Sequence, residues 1–173
     1  MKTMKHMVAF DCGNSSYRVV LGSYDGERLT MDVIRQVPNQ MVEVDGIFYW
    51  DFLAIFQNLK QGLQEAARRV DKIDSLGICT WGVDFGLYDA EGYSLGAPLA
   101  YRNTIGEREL AAFDAAARKQ MFLETGIVCD KINSAYLLAG MKKRMPHKMQ
   151  AADKLLMVPD ILNYMFTGQM RNE

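Results

Sequence analysis

The first forty residues carry apolar runs separated by turn residues, a pattern typical of short strands. Residues 7–11 form one such run, and residues 17–24 follow it after a Gly-Asn-Ser-Ser connection. Asp25-Gly26 is a strong hairpin signal, so residues 29–37 are expected to pair back along the preceding run. The pattern therefore predicts an antiparallel meander of three strands, which ends at Pro38-Asn39-Gln40.

The helical period begins only after the meander. Apolar residues recur at helical spacing from Phe52 to Val70, and Asp51 is a suitable N-cap for that helix. Two further strand-like runs follow, at residues 76–80 and 83–88. Short extended pieces are expected at 42–50, 98–102 and 155–157, and helices at 107–117, 122–126, 133–145 and 160–166, with Pro146 as a helix breaker.

This order of elements predicts the fold class. Three meandering strands, a helix that crosses over and a fourth strand form the skeleton of the ribonuclease-H-like fold of the actin/hexokinase type. We therefore expect an α/β domain with a mixed sheet flanked by helices. A length of 173 residues suits one domain.

Composition narrows the classes of function. The net charge of −1 gives no general attraction to nucleic acid or to an anionic membrane, so neither partner is expected. No apolar run approaches the roughly 20 residues that span a bilayer, and the start lacks the apolar core of a signal peptide. The cytoplasm is the default location. Cys12 and Cys79 are interpreted as two small buried hydrophobes rather than as a redox pair.

The loop after the first strand carries candidate chemistry. It reads Asp-Cys-Gly-Asn-Ser-Ser-Tyr-Arg from Asp11 to Arg18. Gly13 lets the backbone turn closely, and the following amide, hydroxyl and main-chain N–H groups can cradle a phosphate. With the carboxylate, the set can hold a metal-bound phosphate. The alternative is an ordinary hairpin loop with a turn Asp and a strand Arg.

A second loop follows the fourth strand and reads Thr-Trp-Gly-Val-Asp-Phe from Thr80 to Phe85. A glycine at position 82 lets a sugar hydroxyl approach the main chain, and Trp81 offers a flat apolar wall. Asp84 is able to accept a hydrogen bond from a hydroxyl. The alternatives are a core aromatic for Trp81 and a turn-capping or edge-strand carboxylate for Asp84.

These two loops, with Gly-x-Pro-Leu-Ala-Tyr-Arg at 96–102 and Leu-Met-Val-Pro-Asp at 156–160, resemble the N-terminal domain of the FGGY carbohydrate kinases. Within that family the rhamnulokinase branch is the most similar, chiefly through Thr-Trp-Gly-Val-Asp-Phe. The resemblance implies an ATP-dependent sugar kinase that uses Mg²⁺ and acts on a small ketose. It implies that Asp11 is the magnesium ligand. The implied phosphate contacts are Gly13, Asn14, Ser15, Ser16, Tyr17 and Arg18, and the implied sugar contacts are Trp81, Gly82 and Asp84.

The resemblance also implies that much of the enzyme is missing. Residues 1–173 correspond to the N-terminal part of the first kinase domain, so the ribonuclease-H-like domain is expected to be incomplete and the second domain absent. The family's general base is an Asp in a Gly-His-Asp-Thr segment, and neither His6 nor His147 is followed by Asp. The base is therefore expected downstream of Glu173, and the 173-residue piece alone is expected to be inactive.

Three positions depart from the pattern of the rhamnulokinase branch. Cys79 stands where these kinases carry Asp, and Asn103 and Ile105 replace an Asp and an Arg. The changes remove charge near the expected sugar pocket. They leave two alternatives open: another FGGY ketose kinase, or a noncatalytic sugar-binding regulatory domain of the same fold.

Overall fold

The computed structural model describes residues 4–172, so residues 1–3 and 173 lie outside the described part. The strands are β1 (Lys5–Cys12), β2 (Ser16–Tyr24), β3 (Leu29–Pro38), β4 (Met41–Val44), β5 (Ile47–Trp50), β6 (Ser75–Thr80), β7 (Phe85–Tyr88) and β8 (Lys154–Met157). The helices are α1 (Phe52–Ala67), α2 (Glu107–Ala111), α3 (Ala115–Thr125), α4 (Ser134–Arg144), α5 (Pro146–Ala151) and α6 (Val158–Thr167). None of these helices is long and apolar enough to cross a membrane.

The chain builds two units from alternating segments. The first unit contains the described residues up to Met41, then Asp51–Gly82, and the residues from Val158 onwards. The second unit contains Val42–Trp50 and Val83–Met157.

The first unit is built on a four-stranded mixed sheet in the order β3-β2-β1-β6. β1, β2 and β3 form the predicted antiparallel meander, and β6 joins β1 in parallel. The hairpin turn lies where it was predicted, with Gly26 at a φ of 100°, a conformation that favours glycine. The predicted ribonuclease-H-like skeleton is confirmed.

Helix α1 crosses over between β3 and β6 and covers one face of this sheet. Its predicted N-cap is confirmed, because the Asp51 carboxylate accepts a hydrogen bond from the Ala54 N–H at 3.2 Å. The helix ends at Ala67, three residues before the predicted end at Val70. Its buried positions are Phe52, Ile55, Leu59, Gly62 and Ala66.

A β-bulge interrupts the pairing of β2 with β3. Val20 pairs with Val33, but Val19 pairs with Arg35, so Ile34 is an extra residue on β3. The extra residue aims Arg35 at α1, where its guanidinium donates to Asn58, Gln61 and Glu65 at 3.1, 2.9 and 2.8 Å. From this point to the end of β3, every residue pairs one position later than the hairpin turn alone would dictate.

The two faces of the sheet differ in what covers them. On one face Phe10 is fully buried, and its ring lies 5.2 Å from that of Phe166 in α6. On the other face Met31 and Val33 are 70% and 58% exposed. Residues on one strand point alternately to these two faces.

The cysteines of β1 and β6 lie on opposite faces of the sheet, so the prediction that both are buried is wrong for one of them. Cys12 is buried, as expected, but Cys79 is exposed. Cys79 pairs in register with Asp11, so it shares the open face, whereas Cys12 pairs with Thr80. Burial, followed by the nearby charges of Asp11 and Cys79, raises the pKa of the Cys12 thiol to about 12.

The second unit contains two sheets of two strands each, β4 with β5 and β7 with β8. Its buried apolar cluster is formed by Phe85, Leu87, Leu99, Ile105, Leu137 and Met141. The predicted extended piece at 98–102 is wrong in its second half, because the chain turns from Tyr101 onwards.

The helices predicted at 107–117 and 122–126 have other bounds in the structure. The expected helix at 107–117 breaks before Asp114, whose carboxylate accepts from the Ala117 N–H at 2.8 Å and so caps a new helix, α3. Helix α4 ends at Arg144, just before Pro146, as predicted, and Pro146 then begins α5, which was not predicted. A proline fits the first helical turn because its missing N–H would have no partner there.

Close packing of α1 on β2 predicts an unusual effect at Gly62. A Cβ at this position would lie 2.5 Å from Val19 Cγ2 and 2.8 Å from Val19 Cβ. Alanine favours a helix over glycine by about 1 kcal/mol, but overpacking of this kind costs about 1–3 kcal/mol. Because an approach of 2.5 Å belongs to the severe end of that range, we expect Gly62→Ala to lower the free energy of unfolding by about 1–2 kcal/mol net, measured by urea denaturation.

The matched control is Gln64→Ala on the exposed side of the same helix, which is expected to be nearly neutral. In the Gly62→Ala background, Val19→Ala should recover part of the loss. A Gly62→Ala chain as stable as the parent would show that the helix does not pack this closely on Val19.

The opposite placement of the two cysteines predicts a difference in reactivity. Alkylation requires the thiolate, and a raised pKa keeps Cys12 as the neutral thiol at mildly alkaline pH. We expect iodoacetamide to label Cys79 at least about tenfold faster than Cys12, measured by peptide mass spectrometry. In denaturant the two rates should converge, whereas equal rates in the folded chain would contradict the assignment of faces.

Candidate functional site

The two loops that the sequence singles out leave the sheet at the same edge. β1 and β6 are parallel neighbours, with Asp11 opposite Cys79 and Cys12 opposite Thr80. The loop that begins at Gly13 therefore follows β1 at the edge where Trp81-Gly82 follows β6. The carboxyl edge of parallel strands is the usual place for a ligand in open α/β sheets.

Asp11 and Arg18 form an ion pair at this edge. They face each other in the β1–β2 register, and Arg18 Nη1 lies 2.7 Å from Asp11 Oδ2. The two side chains are 52% and 37% exposed, respectively, so water reaches both. The pair fixes the direction of the carboxylate and contributes little to stability, as exposed pairs generally do.

The connection from β1 to β2 is a tight turn. The Gly13 N–H donates to the Ser16 carbonyl at 2.9 Å. A Cβ on Gly13 would lie 3.0 Å from that same oxygen, so the turn favours glycine for reasons of space. Asn14 and Ser15 are exposed at the tip, and Ser16 begins β2 half-buried.

Asn39 joins this turn from the end of β3. Its main-chain N–H donates to the Ser15 carbonyl at 2.9 Å, and its side-chain Nδ2 donates to the Gly13 carbonyl at 2.9 Å. Asn39 was not predicted from the sequence as a functional residue. The available signal is the adjacent apolar pair Val33-Ile34, which breaks the alternation of β3 and marks the bulge.

Tyr17 lies on the other face of the sheet from Asp11 and Arg18. Its side chain is 4% exposed and lines a cleft of about 220 Å³ together with Asn39, Asp51 and Asn58. Burial raises the pKa of its phenol, and a hydrogen bond with Asn58 opposes that shift. The predicted contact of Tyr17 with phosphate stays a prediction, and only the main chain of Tyr17 is on hand for it on the Asp11 side.

The Trp81-Gly82 step leaves room for a ligand. A Cβ on the exposed Gly82 would meet no described atom within 4 Å. Trp81 is half-buried, and its carbonyl accepts from the Thr80 hydroxyl at 2.9 Å. The main chain at Gly82 is thus open to a polar ligand, as a sugar contact requires.

Asp84 lies in the second unit and is fully buried. Its carboxylate accepts a hydrogen bond from the indole N–H of Trp50 at 2.5 Å. The preceding Val83 has a φ of 70°, a strained conformation for a β-branched residue, and its carbonyl accepts from the Ser134 hydroxyl at 2.7 Å. The predicted sugar contact of Asp84 stays a prediction.

Two of the three departures from the family pattern have structural roles in the second unit. The Asn103 side chain donates to the carbonyls of Phe48 and Ala100 at 2.7 and 2.8 Å and accepts from the Phe48 N–H. Ile105 is 5% exposed and belongs to the buried cluster. Both residues tie this unit together.

The residues at the sheet edge fit a magnesium ion that is bound mainly by phosphate. Among residues 4–172, no group of three or more His, Cys, Asp or Glu side chains could hold a metal ion. Mg²⁺ does not require such a group, because it keeps several waters and is commonly bound by one or two carboxylates and substrate phosphates. Asp11 supplies one exposed carboxylate beside a turn suited to phosphate.

Comparisons with known proteins show the family of this chain. The model of the FGGY family of carbohydrate kinases, N-terminal domain, matches residues 6–173. The chain is 39% identical over 171 residues to a rhamnulokinase of Bacteroides thetaiotaomicron, covering 98% of this chain and 35% of that protein. It is 36% identical over 170 residues to a rhamnulokinase of Yersinia pestis, covering 96% of this chain and 35% of that protein.

Solved structures share the fold. A gluconate kinase from Lactobacillus acidophilus has a TM-score of 0.84 at 15% identity, covering 97% of this chain and 34% of that one. A xylulose kinase from the same species has a TM-score of 0.83 at 15% identity, with 96% and 34% covered. The chain thus spans about a third of the length of the proteins it matches. By its sequence and by the fold that carries the two loops, this chain belongs to the FGGY family of carbohydrate kinases, in the N-terminal domain.

Proposed function

We propose that a protein carrying this chain is a rhamnulokinase, which transfers the γ-phosphoryl group of ATP to L-rhamnulose and releases L-rhamnulose 1-phosphate and ADP. The observation that carries the proposal is the meeting of two loops at one sheet edge, one suited to phosphate and one open to a sugar. Curated relatives named rhamnulokinase, 34–39% identical to this chain, support the choice of sugar.

On the phosphate side, we assign Asp11 as the residue that would hold Mg²⁺. The ion, when bound, would neutralise charge on the transferring phosphoryl group. Arg18 orients the Asp11 carboxylate through their 2.7 Å ion pair and adds positive charge at the same place. The turn from Gly13 to Ser16 would offer main-chain N–H groups and hydroxyls to the phosphates.

On the sugar side, we assign the main chain at Gly82 and the ring of Trp81 as contacts of the ketose. Asp84 is the third proposed contact. The proton of the attacking hydroxyl requires a general base, which we place in the chain beyond Glu173. We interpret residues 1–173 as the N-terminal part of the first kinase domain, with the second domain outside this chain. We propose the cytoplasm as the location, where ATP is supplied and the three free thiols stay reduced.

A second candidate is an FGGY kinase for a different ketose. Cys79 favours it, because this exposed thiol lies opposite Asp11, where the rhamnulokinase branch carries a carboxylate. A neutral side chain at this position changes the charge next to the proposed metal ligand. A substrate with a different hydroxyl arrangement would then fit better.

The test is an ADP-release assay on the full-length gene product with L-rhamnulose, L-fuculose and D-xylulose. The proposal expects the highest kcat/KM for L-rhamnulose. A higher value for another ketose would support the second candidate. Sugar binding without turnover of any ketose would overturn both and indicate a noncatalytic sugar-binding domain. The 173-residue chain alone is expected to show no turnover, because it lacks the proposed base.

Replacement of the proposed magnesium ligand gives a sharper prediction. Asp11→Asn keeps the size of the side chain but removes its charge, so we expect kcat to fall about a hundredfold or more. The change should cost at most about 1 kcal/mol of stability, because the pair with Arg18 is exposed. Activity is measured across a Mg²⁺ titration, and stability by urea denaturation.

The matched control is Asp32→Asn, which removes a carboxylate from an exposed position on β3 of the same sheet. It should leave both kcat and the Mg²⁺ dependence unchanged. Near-normal turnover of the Asp11→Asn enzyme would rule out the assignment of Asp11.

A further inference from the structure

Asn39 holds the turn between β1 and β2 at two points. Its main-chain N–H donates a hydrogen bond to the Ser15 carbonyl, and its Nδ2 donates one to the Gly13 carbonyl, both at 2.9 Å. These two carbonyls alternate with the Asn14 and Ser16 N–H groups along the turn. The described residues contain no cis peptide bond. In a trans peptide the C=O and N–H point in opposite directions, so fixing the two carbonyls also fixes the two N–H groups.

We infer that Asn39 is a positioning residue, which aims the N–H groups of Asn14 and Ser16 at the phosphates of the nucleotide. This inference rests on the proposed function for its ligand, but the geometry of the turn is independent of that ligand. Main-chain N–H groups of a tight turn can form an anion-binding concavity. Asn39 grips the opposite side of the same turn and does not itself touch the phosphate.

The register of β3 explains why an asparagine at position 39 can do this. Without Ile34 as an extra residue, Pro38 would stand opposite Ser15, and proline has no N–H to donate. The bulge moves Pro38 opposite Ser16 and brings Asn39 to the turn. The hydrogen bond from the Asn39 main chain to Ser15 therefore depends on the bulge, and the hydrogen bond from its side chain to Gly13 depends on the amide group.

The burial of the Asn39 amide also indicates a positioning role. Its Oδ1 is buried and has no hydrogen-bond partner within residues 4–172. A buried acceptor without a partner costs stability, so the amide is a poor choice for the fold alone. It gains its use from Nδ2, which no apolar side chain of the same size could supply.

The test compares Asn39→Ala with Gln40→Ala, the exposed neighbour that lines the same cleft. The first measurement is amide hydrogen exchange on the 173-residue chain, which needs no ligand. Loss of the Nδ2 bond should speed exchange of the Gly13 N–H about three- to tenfold, while amides of Phe10 and Val19 stay unchanged. Gln40→Ala should leave all three unchanged.

The second measurement is kinetic, on the full-length enzyme. Asn39→Ala should raise the KM for MgATP about three- to tenfold and leave the KM for the ketose unchanged. Asn39→Asp, which keeps the size but puts a carboxylate against the Gly13 carbonyl, should have at least the same effect. This variant also decides the matter if the alanine variant does not fold.

The outcomes separate this inference from the proposed function. Unchanged exchange of the Gly13 N–H in both variants would show that Asn39 does not hold the turn, whatever the kinetics of the enzyme. Faster exchange with an unchanged KM for MgATP would also overturn the inference, because the turn would then not position phosphate. A parent enzyme without kinase activity would refute the proposed function. The role of Asn39 would then be judged by exchange at Gly13 and by Mg²⁺-tripolyphosphate, which should shift the Asn14 and Ser16 amide resonances in the parent chain and not in Asn39→Ala; equal shifts in both would overturn it.

Discussion

The bridge from Arg35 to helix α1 is the contact on which the geometry of the site depends. Arg35 donates to Asn58, Gln61 and Glu65, which lie three and four residues apart and so share one face of α1. In a regular hairpin this arginine would point to the open face of the sheet. The bulge at Ile34 turns the Arg35 side chain toward α1, and the hydrogen bonds to the three acceptors stabilise this orientation. The register of β3 against β2 and the position of α1 on the sheet are therefore fixed by the same contacts.

The same register connects the interior of the first unit to its chemistry. Because β3 is shifted by one residue, its end meets the turn of β1 and β2 with a donor-bearing residue instead of a proline. Because β6 runs parallel to β1, the second loop emerges beside that turn. Asp11 lies at the end of β1, next to both loops, and opposite Arg18 of β2. A site of few residues thus depends on three strand pairings.

The fold and the outline of the site were predictable from sequence, because local signals determine them. The Asp25-Gly26 turn, the alternation of β2 and the apolar stripe of α1 each act over a few residues, and the meander and crossover follow from them. The bulge was not predicted: the Val33-Ile34 pair breaks the alternation locally, but the extra residue is fixed by contacts of Arg35 with α1 residues that lie 23 to 30 positions away. Asn39 was missed for the same reason. Cys79 was assigned to the interior because its strand is apolar, yet the structure leaves its face open.

Stability and the proposed chemistry are divided between the two faces of one sheet. The face under α1 and α6 holds Phe10, Val19 and Cys12 in close packing, where small changes of volume carry a large cost. The open face holds Asp11, Arg18 and Cys79, whose exposure makes their mutual contacts weak in water. Side chains on the open face can therefore change with little effect on folding. Asn39 lies at the boundary between the two faces, since it lines the cleft on the packed side and holds the turn to which we assign the phosphate. Substitutions that change the preferred substrate are accordingly expected at open-face positions such as Cys79, and not at the bulge or at Asn39.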